Sequence, residues 1–324
     1  MINGELIDLV AGDYEARIAT SGATLVHLRR AGSDLIIPFD AEVSLPEGWQ
    51  GKTLVPWPNR IVGARYAYRG EEYPVPCNEP ETGSALHGLV GWADFQVVAT
   101  SAGDAGGGAD AAGDAPSVAL ELTLPGSYAY PWSLQVDVRF ALDARGLTVA
   151  VTTTCLGAGA PAAPDAVGAP EADGLLAPAP YGVSFHPYLT RSVLLDECVL
   201  QVPAARVLDV DERMAPAAER DVAGTDWDWR AGRPVGAVST DNAYTGLPQG
   251  PWEVRLTGGE AGRTVVMSAE APWVQVYTAE HLGRRGVAVE PMTCPPDAFN
   301  SGRDLVELAV GRTHSFSYSL REDD

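Results

Sequence analysis

The stretch from Ser133 to Leu142, SLQVDVRFAL, decides the fold class because apolar and polar side chains alternate along it. Its apolar side chains at every second position are Leu134, Val136, Val138, Phe140 and Leu142. An alternation of this kind is typical of an antiparallel strand with one face in the core and one face in water. The stretch therefore predicts a half-buried strand.

Similar short apolar runs occur along the whole chain, separated by Gly, Pro, Asn and Asp, which favour turns. No long stretch repeats apolar residues every three to four positions, so helices are not expected between the strands. Many strands without intervening helices predict a large antiparallel sandwich or barrel. The further predicted strands are 118–124, 147–151, 16–20, 23–28, 34–38, 95–100, 253–256, 265–268, 273–278, 287–290 and 315–320.

The composition restricts the classes of function. The 324 residues include 43 acidic and 22 basic side chains, which gives a formal net charge of −21. A protein with this charge repels phosphate backbones and anionic lipid, so we expect neither nucleic acid nor a membrane surface as a partner. The single lysine, Lys52, lacks the upstream glycines of a phosphate-binding loop.

The chain is expected to form one domain over residues 1–324. Two segments rich in Gly, Ala, Pro and Asp, 101–116 and 158–180, lie between predicted strands and are expected to be surface loops. The four cysteines form no CxxC pair, which argues against a zinc knuckle. No basic and apolar leader opens the sequence, and no apolar run reaches the length of a membrane span, so a cytoplasmic location is expected.

Two of the five histidines stand in unusual local sequences. His87 precedes Gly88, which permits a tight turn, and His186 precedes Pro187, which favours an extended backbone before it. A single histidine is more often structural than catalytic, and His27 and His314 fit the structural interpretation. The position of His281 leaves its role open.

Three charged residues are candidates for chemistry. Glu290 ends an apolar strand, where partial burial would raise the pKa of its carboxyl group toward that of a general base. An edge-strand glutamate that prevents aggregation explains its position equally well. Asp241 could bind a hydroxyl group or form an Asx turn. Arg60 could donate a fork of hydrogen bonds or form a surface ion pair.

Aromatic residues accompany these stretches, and aromatic rings pack against the apolar faces of sugars. Core packing is the more frequent role of any one of them. The aromatic residues in question are Trp57, Trp92, Tyr181, Tyr277 and Phe299.

Taken together, the motifs resemble the aldose 1-epimerase (mutarotase) family, and they occur in the family's order over essentially the whole chain. The similarity is strongest to the bacterial aldose 1-epimerase-like branch, because of the stretch EPMTCPP at 290–296. The matching motifs are Asn59-Arg60-Ile61, Leu86-His87-Gly88 with Trp92, His186-Pro187-Tyr188, Asp241 with Tyr244, Val274 to Thr278, Val289 to Thr293 and Pro296 to Asn300.

The resemblance implies a galactose mutarotase-like β-sandwich with a sugar site in a cleft on one sheet. It implies Glu290 as general base and His186 as general acid in opening and closing the ring of a free aldose. Binding of the sugar oxygens falls to Arg60, His87 and Asp241, with Trp92 and Tyr277 as aromatic contacts. The family requires no metal or cofactor, and we expect a monomer or homodimer whose partner is a monosaccharide.

Three other functions remain open at this point. A hexose-6-phosphate 1-epimerase would need cations for the phosphate, and Arg60, Arg65 and Arg69 lie close in sequence. A non-catalytic sugar-binding protein would have lost Glu290 or His186, and both are present. A glycosidase would use Glu290 and Asp241 as two carboxyl groups that flank the scissile bond.

Overall fold

A computed structural model describes residues 2–102, 115–158, 177–259 and 262–323 of the protein. Its strands in chain order are β1 (Leu6–Ala11), β2 (Tyr14–Ala19), β3 (Thr24–Arg30), β4 (Ser33–Asp34), β5 (Thr53–Leu54), β6 (Arg60–Ile61), β7 (Arg65–Tyr68), β8 (Glu71–Pro74), β9 (Ala85–Leu86), β10 (Gln96–Ser101), β11 (Ser117–Leu124), β12 (Trp132–Asp143), β13 (Gly146–Ala158), β14 (Ala179–Tyr181), β15 (Ser184–Phe185), β16 (Tyr188–Thr190), β17 (Val199–Gln201), β18 (Arg206–Val210), β19 (Pro216–Asp221), β20 (Arg233–Pro234), β21 (Asp241–Thr245), β22 (Trp252–Thr257), β23 (Thr264–Ala269), β24 (Trp273–Tyr277), β25 (Gly286–Met292), β26 (Val306–Leu308) and β27 (Thr313–Asp323).

Helices are short in the described part of the chain. The α-helix α1 spans Ala298–Ser301, and 3-10 helices span Val62–Ala64, Leu195–Glu197 and Glu280–Leu282. None of the described helices has the length and apolar character needed to cross a membrane.

Two large sheets dominate the architecture. One has nine strands in the order β10-β11-β12-β13-β27-β23-β22-β17-β20. The other has the order β19-β18-β21-β24-β25-β15-β5, and β16 also pairs with β25. A four-stranded sheet, β1-β2-β3-β4, and three two-stranded sheets complete the fold. The predicted all-β antiparallel fold is confirmed.

The alternation at 133–142 has the expected structural result. Side chains of β12 are buried at every second position, and the strand pairs antiparallel with β11 and β13. Its buried face belongs to a hydrophobic core that also includes residues of the eight-stranded sheet. Phe185 of that sheet lies 4.8 Å from Tyr318 of the nine-stranded sheet, measured between ring centroids. The two large sheets therefore pack face to face as a sandwich.

Strands β24 and β25 have two different faces. Val274, Val276, Val287 and Val289 point into the sandwich core. The residues between these valines point to the opposite face, as the period of two requires. That outer face carries Gln275 and Glu290, whose Cα positions are partners in the antiparallel register.

One predicted strand is corrected by the structure. Of the predicted strand 34–38, only Asp34 lies in a named strand, β4. Beyond it the chain leaves the four-stranded sheet, and Ile36 forms an isolated bridge with Leu189. Ile37 donates its amide to the carbonyl of Tyr188, and Pro38 has no N–H to continue a ladder. The segment joins two sheets instead of extending one.

The two low-complexity segments are only partly described. Residues 103–114 and 159–176, where most of the predicted loops fall, lie outside the described residues. The predicted ends are too wide, because Ser101, Ala158 and Ala179 belong to β10, β13 and β14.

Candidate active site

Three neighbouring strands of the eight-stranded sheet form the floor of a cavity. Asp241 begins β21, Gln275 is central in β24, and Glu290 lies in β25. The amide nitrogen of Gln275 donates to the Oδ1 atom of Asp241 over 2.6 Å. The strand order β21-β24-β25 therefore places two carboxyl groups on one floor with a glutamine between them.

Glu290 is almost completely buried, with 2% of its surface exposed. On the same face it is flanked by apolar side chains, namely Ala288 on one side and Met292 with Trp273 on the other. Burial, and then the charge of Asp241, raises the pKa of Glu290 well above its ordinary value. Its Oε2 atom has no hydrogen-bond partner among the described residues.

His186 reaches Glu290 from the link between β15 and β16. Its backbone is fixed on both sides, because its amide donates to the carbonyl of Lys52 and its carbonyl accepts from Gly51. Its Nε2 atom lies 3.3 Å from the Oε1 atom of Glu290. Burial lowers the pKa of His186 to about 3. The prediction from Pro187 placed His186 at the end of a strand, and the residue directly follows β15.

The two pKa shifts favour the uncharged form of each side chain, so that Glu290 holds the proton and His186 is neutral. Transfer of that proton across the 3.3 Å contact would give a carboxylate and an imidazolium without changing the total number of protons. The pair is therefore best described as one acid–base unit with one shared proton.

His87 provides a second imidazole beside the pair. It adopts a left-handed backbone with φ of 63°, next to Gly88 with φ of 73°. A side chain at Gly88 would approach the carbonyl oxygen of Val55 to 2.2 Å, so this tight turn requires the glycine. The backbone N–H of Asn59 donates to the Nδ1 atom of His87 over 3.2 Å. Burial, and then the neighbouring His186, keep the pKa of His87 well below its ordinary value, so its imidazole is neutral and carries one proton. Because Nδ1 accepts the hydrogen bond from Asn59, that proton lies on Nε2 and can be donated.

A metal ion is the other ligand that this cluster could hold, since ligand atoms of His87, His186 and Glu290 lie within 4.8 Å of one another. The hydrogen bond from Asn59 occupies the lone pair on Nδ1 of His87, and the proton occupies Nε2. A neutral His87 therefore offers no lone pair to a metal. The cluster fits a hydrogen-bonding role better than a metal site.

Arg60 lies in β6 and is paired with a residue that the sequence analysis missed. Its Nε and Nη2 atoms donate to the two carboxylate oxygens of Glu79, both over 2.7 Å. Arg65 and Arg69, close to Arg60 in sequence, do not line this cavity and form exposed ion pairs with Glu72 and Glu307. Of these three arginines, only Arg60 belongs to the site.

Aromatic side chains line the cavity, and the partly exposed Trp49 and Tyr277 lie at its mouth. The hydroxyl of Tyr277 lies 2.9 Å from Nδ1 of His281, and the two rings are stacked with centroids 5.5 Å apart. The hydroxyl of Tyr188 donates to the carbonyl of Gly48 over 2.7 Å. Trp49 contacts the ring of His87 edge-on, with centroids 5.1 Å apart.

The cavity has a volume of about 290 Å³. This is at the lower end of the range for small-molecule sites, which corresponds to one compact ligand. Wider hollows of about 780 and 690 Å³ lie elsewhere on the surface and contain none of these acid–base residues. The lining residues are Gly48, Trp49, Asn59, Arg60, Glu79, Leu86, His87, His186, Tyr188, Asp241, Tyr277, His281 and Glu290.

Six of the seven predicted site residues line this cavity, and the seventh, Trp92, does not. The ring of Trp92 is half exposed and packs against Trp49 with centroids 5.5 Å apart, so it supports the wall from behind. His281, which the sequence left open, does line the cavity. Glu79 and Trp49 were missed because no local pattern distinguishes them from other surface-loop residues.

The antiparallel sandwich carries a buried carboxyl–imidazole pair in a small cavity lined by further polar side chains. The sequence model of the family "Aldose 1-epimerase" matches residues 5–163 and 171–321, and the chain belongs to this family.

The chain is also similar to a curated relative and to solved structures. The chain is 37% identical to the Escherichia coli K12 protein YihR over 320 residues, which cover 98% of this chain and 93% of YihR. A GalM/aldose epimerase homologue from Caenorhabditis elegans has a TM-score of 0.79 at 19% identity, with 98% of each chain covered. A galactose 1-epimerase from Lactobacillus acidophilus NCFM has a TM-score of 0.79 at 17% identity, covering 100% of this chain and 96% of the other. These two structures show the same fold.

Proposed function

We propose that the protein is an aldose 1-epimerase that interconverts the α and β anomers of a free aldose. The observation that carries the proposal is the contact of 3.3 Å between Nε2 of His186 and Oε1 of Glu290 at the base of a small, polar cavity. An acid and a base that share one proton can protonate one oxygen of a hemiacetal while they deprotonate the other.

The proposed reaction needs no group beyond these two. With the shared proton on His186, Glu290 takes the proton of the anomeric hydroxyl, and His186 donates its proton to the ring oxygen. The bond between C1 and the ring oxygen breaks, and the anomeric oxygen becomes the carbonyl oxygen of the open aldehyde. Rotation about the C1–C2 bond presents the other face of the carbonyl. Reversal of both proton transfers closes the ring as the second anomer.

The remaining lining residues would hold the sugar during these steps. His87 can donate from Nε2, Arg60 from its guanidinium group, and Asp241 can accept from hydroxyl groups. Fixed contacts to the hydroxyls would keep the open form in position for closure. Tyr277 and Trp49 offer aromatic rings at the mouth, where the apolar face of a sugar ring could pack.

The arrangement of charges supports a free aldose over a hexose 6-phosphate. A phosphate dianion would need several cations, but Arg65 and Arg69 lie outside the cavity and Arg60 is paired with Glu79. A glycosidase is disfavoured because Glu290 and Asp241 stand on one floor with Gln275 between them, instead of facing each other across the cavity.

Polarimetry of freshly dissolved α-glucose and α-galactose tests the proposal. We expect Glu290→Gln and His186→Asn each to lower the mutarotation rate at least about 100-fold, because each variant loses one of the two proton-transfer groups. Glu72→Gln, which changes an exposed glutamate paired with Arg65, serves as the control and should retain the parent rate. Parent-like rates in a folded Glu290→Gln or His186→Asn variant would exclude that residue from catalysis, and an inactive parent would make a non-catalytic sugar-binding protein the better description.

A further inference from the structure

We infer that Glu79 is a positioning residue that limits Arg60 to binding uncharged sugar groups, so that the Arg60–Glu79 pair sets a preference for neutral aldoses over anionic ones. The inference rests on the proposed function and adds a determinant of its substrate class.

The geometry of the pair leaves one side of the guanidinium group available. Nε and Nη2 of Arg60 are both occupied by Glu79, in the two-pronged arrangement that arginine forms with carboxylates. The third nitrogen, Nη1, has only a contact of 3.4 Å with Oδ1 of Asn59. Arg60 can therefore donate to a ligand only from the edge that carries Nη1 and the second N–H of Nη2. Its positive charge is already paired with the Glu79 carboxylate, so a phosphate or carboxylate group of a ligand would meet a compensated cation, whereas a hydroxyl group needs only the free N–H donors.

Glu79 is held in place before any ligand binds. Its backbone forms reciprocal hydrogen bonds with Ser84, and the hydroxyl of Thr82 donates to its Oε2 atom. Arg213, from the turn between β18 and β19, donates twice to the carbonyl oxygen of Thr82, over 3.1 and 2.9 Å. This loop therefore presents the Glu79 carboxylate to Arg60 as a fixed partner.

The charges around the cavity also favour uncharged ligands over anionic ones. The side chains of Arg60 and Glu79 are only 10% and 18% exposed, so water screens their interaction weakly. Burial lowers the pKa of Arg60, but the hydrogen bond to Glu79 and then the charge of Asp241 outweigh this effect, and the net pKa is raised. One cation thus faces the two carboxylates of Glu79 and Asp241. A hydroxyl group needs only a donor there, whereas an anionic group would be repelled.

The test compares neutral and anionic aldoses. Mutarotation of glucose, glucuronic acid and glucose 6-phosphate is measured for the parent, for Glu79→Gln and for the control Glu72→Gln, which also removes a glutamate paired with an arginine. For Glu79→Gln we expect kcat/KM for glucose to fall at least about 10-fold, mainly through KM, because Arg60 loses its orientation. We expect the ratio of kcat/KM for glucose to that for either anion to fall at least about 10-fold as well. The control should leave both quantities within about twofold of the parent.

A second variant separates charge from geometry. Glu79→Asp keeps the negative charge but cannot span the same fork, so glucose turnover should fall without a gain for either anion. An unchanged ratio in Glu79→Gln, with a melting temperature like that of the parent, would overturn the inference. If the parent shows no mutarotation, the proposed function fails, and calorimetric titration with glucose and glucuronic acid still tests the Arg60–Glu79 pair through the ratio of the two affinities.

Discussion

Glu290 and His186 illustrate, at the scale of single residues, how burial changes acid–base chemistry. Both side chains are nearly excluded from water, and burial raises the pKa of the carboxyl group and lowers the pKa of the imidazole. At neutral pH a carboxyl group in water is charged, and an imidazole in water is charged in a fraction of the molecules. In this cavity the neutral forms are favoured, so one proton serves both groups.

This state leads to a prediction about pH. In the proposed mechanism the Glu290–His186 pair needs its one shared proton, which is lost as the pH rises through the raised pKa of Glu290. The negative charge of Asp241 contributes to that raised pKa, second to burial. Replacing Asp241 with Asn should therefore lower the pKa of Glu290 and move the alkaline limb of the kcat/KM profile to lower pH. The profile is measured by polarimetry after subtraction of the spontaneous rate.

The acidic side of the same profile provides the internal control. The unit gains a second proton only near the pKa of His186, about 3, and Asp241 is not among the causes of that shift. An alkaline limb that stays in place or moves to higher pH in Asp241→Asn would contradict this account of the pair.

Single residues also show where sequence reasoning succeeds. Glu290, His186 and His87 were found because each belongs to a short motif with a distinctive neighbour, Pro291, Pro187 or Gly88. Glu79 is one of 43 acidic residues, and its importance comes from Arg60, 19 positions away, and from a loop held by Arg213. Only the folded chain brings these groups together, so no local pattern could single out Glu79.

At the scale of elements, the alternation along each strand determines which residues reach the site. The valines of β24 and β25 fill the core, and the alternate positions face the other way, among them Glu290, which lines the cavity. Long strands were therefore predictable from their period. Short elements such as β5, β6 and β9 have two residues each and show no period, because contacts with distant segments define them.

The segment that leads into β5 connects two walls of the cavity. The backbone carbonyl of Lys52 accepts a hydrogen bond from the backbone amide of His186. The ammonium group of the Lys52 side chain donates to the carbonyl of Ser21 and lies 4.3 Å from the centroid of the Trp92 ring. The side chain has no exposed surface, and burial lowers the pKa of Lys52 to about 8. The folded protein therefore binds this proton less tightly than the unfolded chain does.

We expect Lys52→Met to stabilise the protein at pH 7. A drop in pKa from 10.5 to about 8 corresponds to an unfavourable contribution of up to about 3 kcal/mol, which is reduced by the lost contact with Trp92. The carbonyl of Ser21 keeps the hydroxyl of Thr24 as a donor. A net gain of about 1–2 kcal/mol in the free energy of unfolding is expected from denaturant titration.

The pH dependence of this difference is diagnostic. The folded pKa of Lys52 lies below the unfolded one, so the penalty is complete below pH 8 and disappears as the pH rises toward 10.5. The advantage of Lys52→Met over the parent should shrink across that interval. An advantage that is constant with pH would show that packing, and not the buried charge, is responsible.

At the scale of the whole molecule, the predicted loops can be tested by deletion. Residues 103–114 consist of Gly, Ala and Asp, which offer little apolar surface for packing. The strands on either side already pair with each other, with Ser101 opposite Ser117. Replacing 103–114 with a two-residue Asn-Gly turn should change the melting temperature by less than about 2 °C and leave the mutarotation rate unchanged. Calorimetry checks the first outcome, and a loss of several degrees would show that the segment is packed.

The cavity draws its lining from positions as far apart as Gly48 and Glu290, and the imidazole and carboxyl group of the buried pair come from separate segments, the link after β15 and strand β25. Arg60 and His87 lie in the first half of the polypeptide and His186 and Glu290 in the second, so neither half contains the complete lining of the cavity. Two separately produced fragments, split between His87 and His186, would each lack part of the cavity and several strands of the nine-stranded sheet. If the proposed function holds, the optical rotation of a sugar solution should change faster only after the fragments reassociate. The chain could thus serve as a complementation reporter, because the change in optical rotation would require both fragments to be assembled.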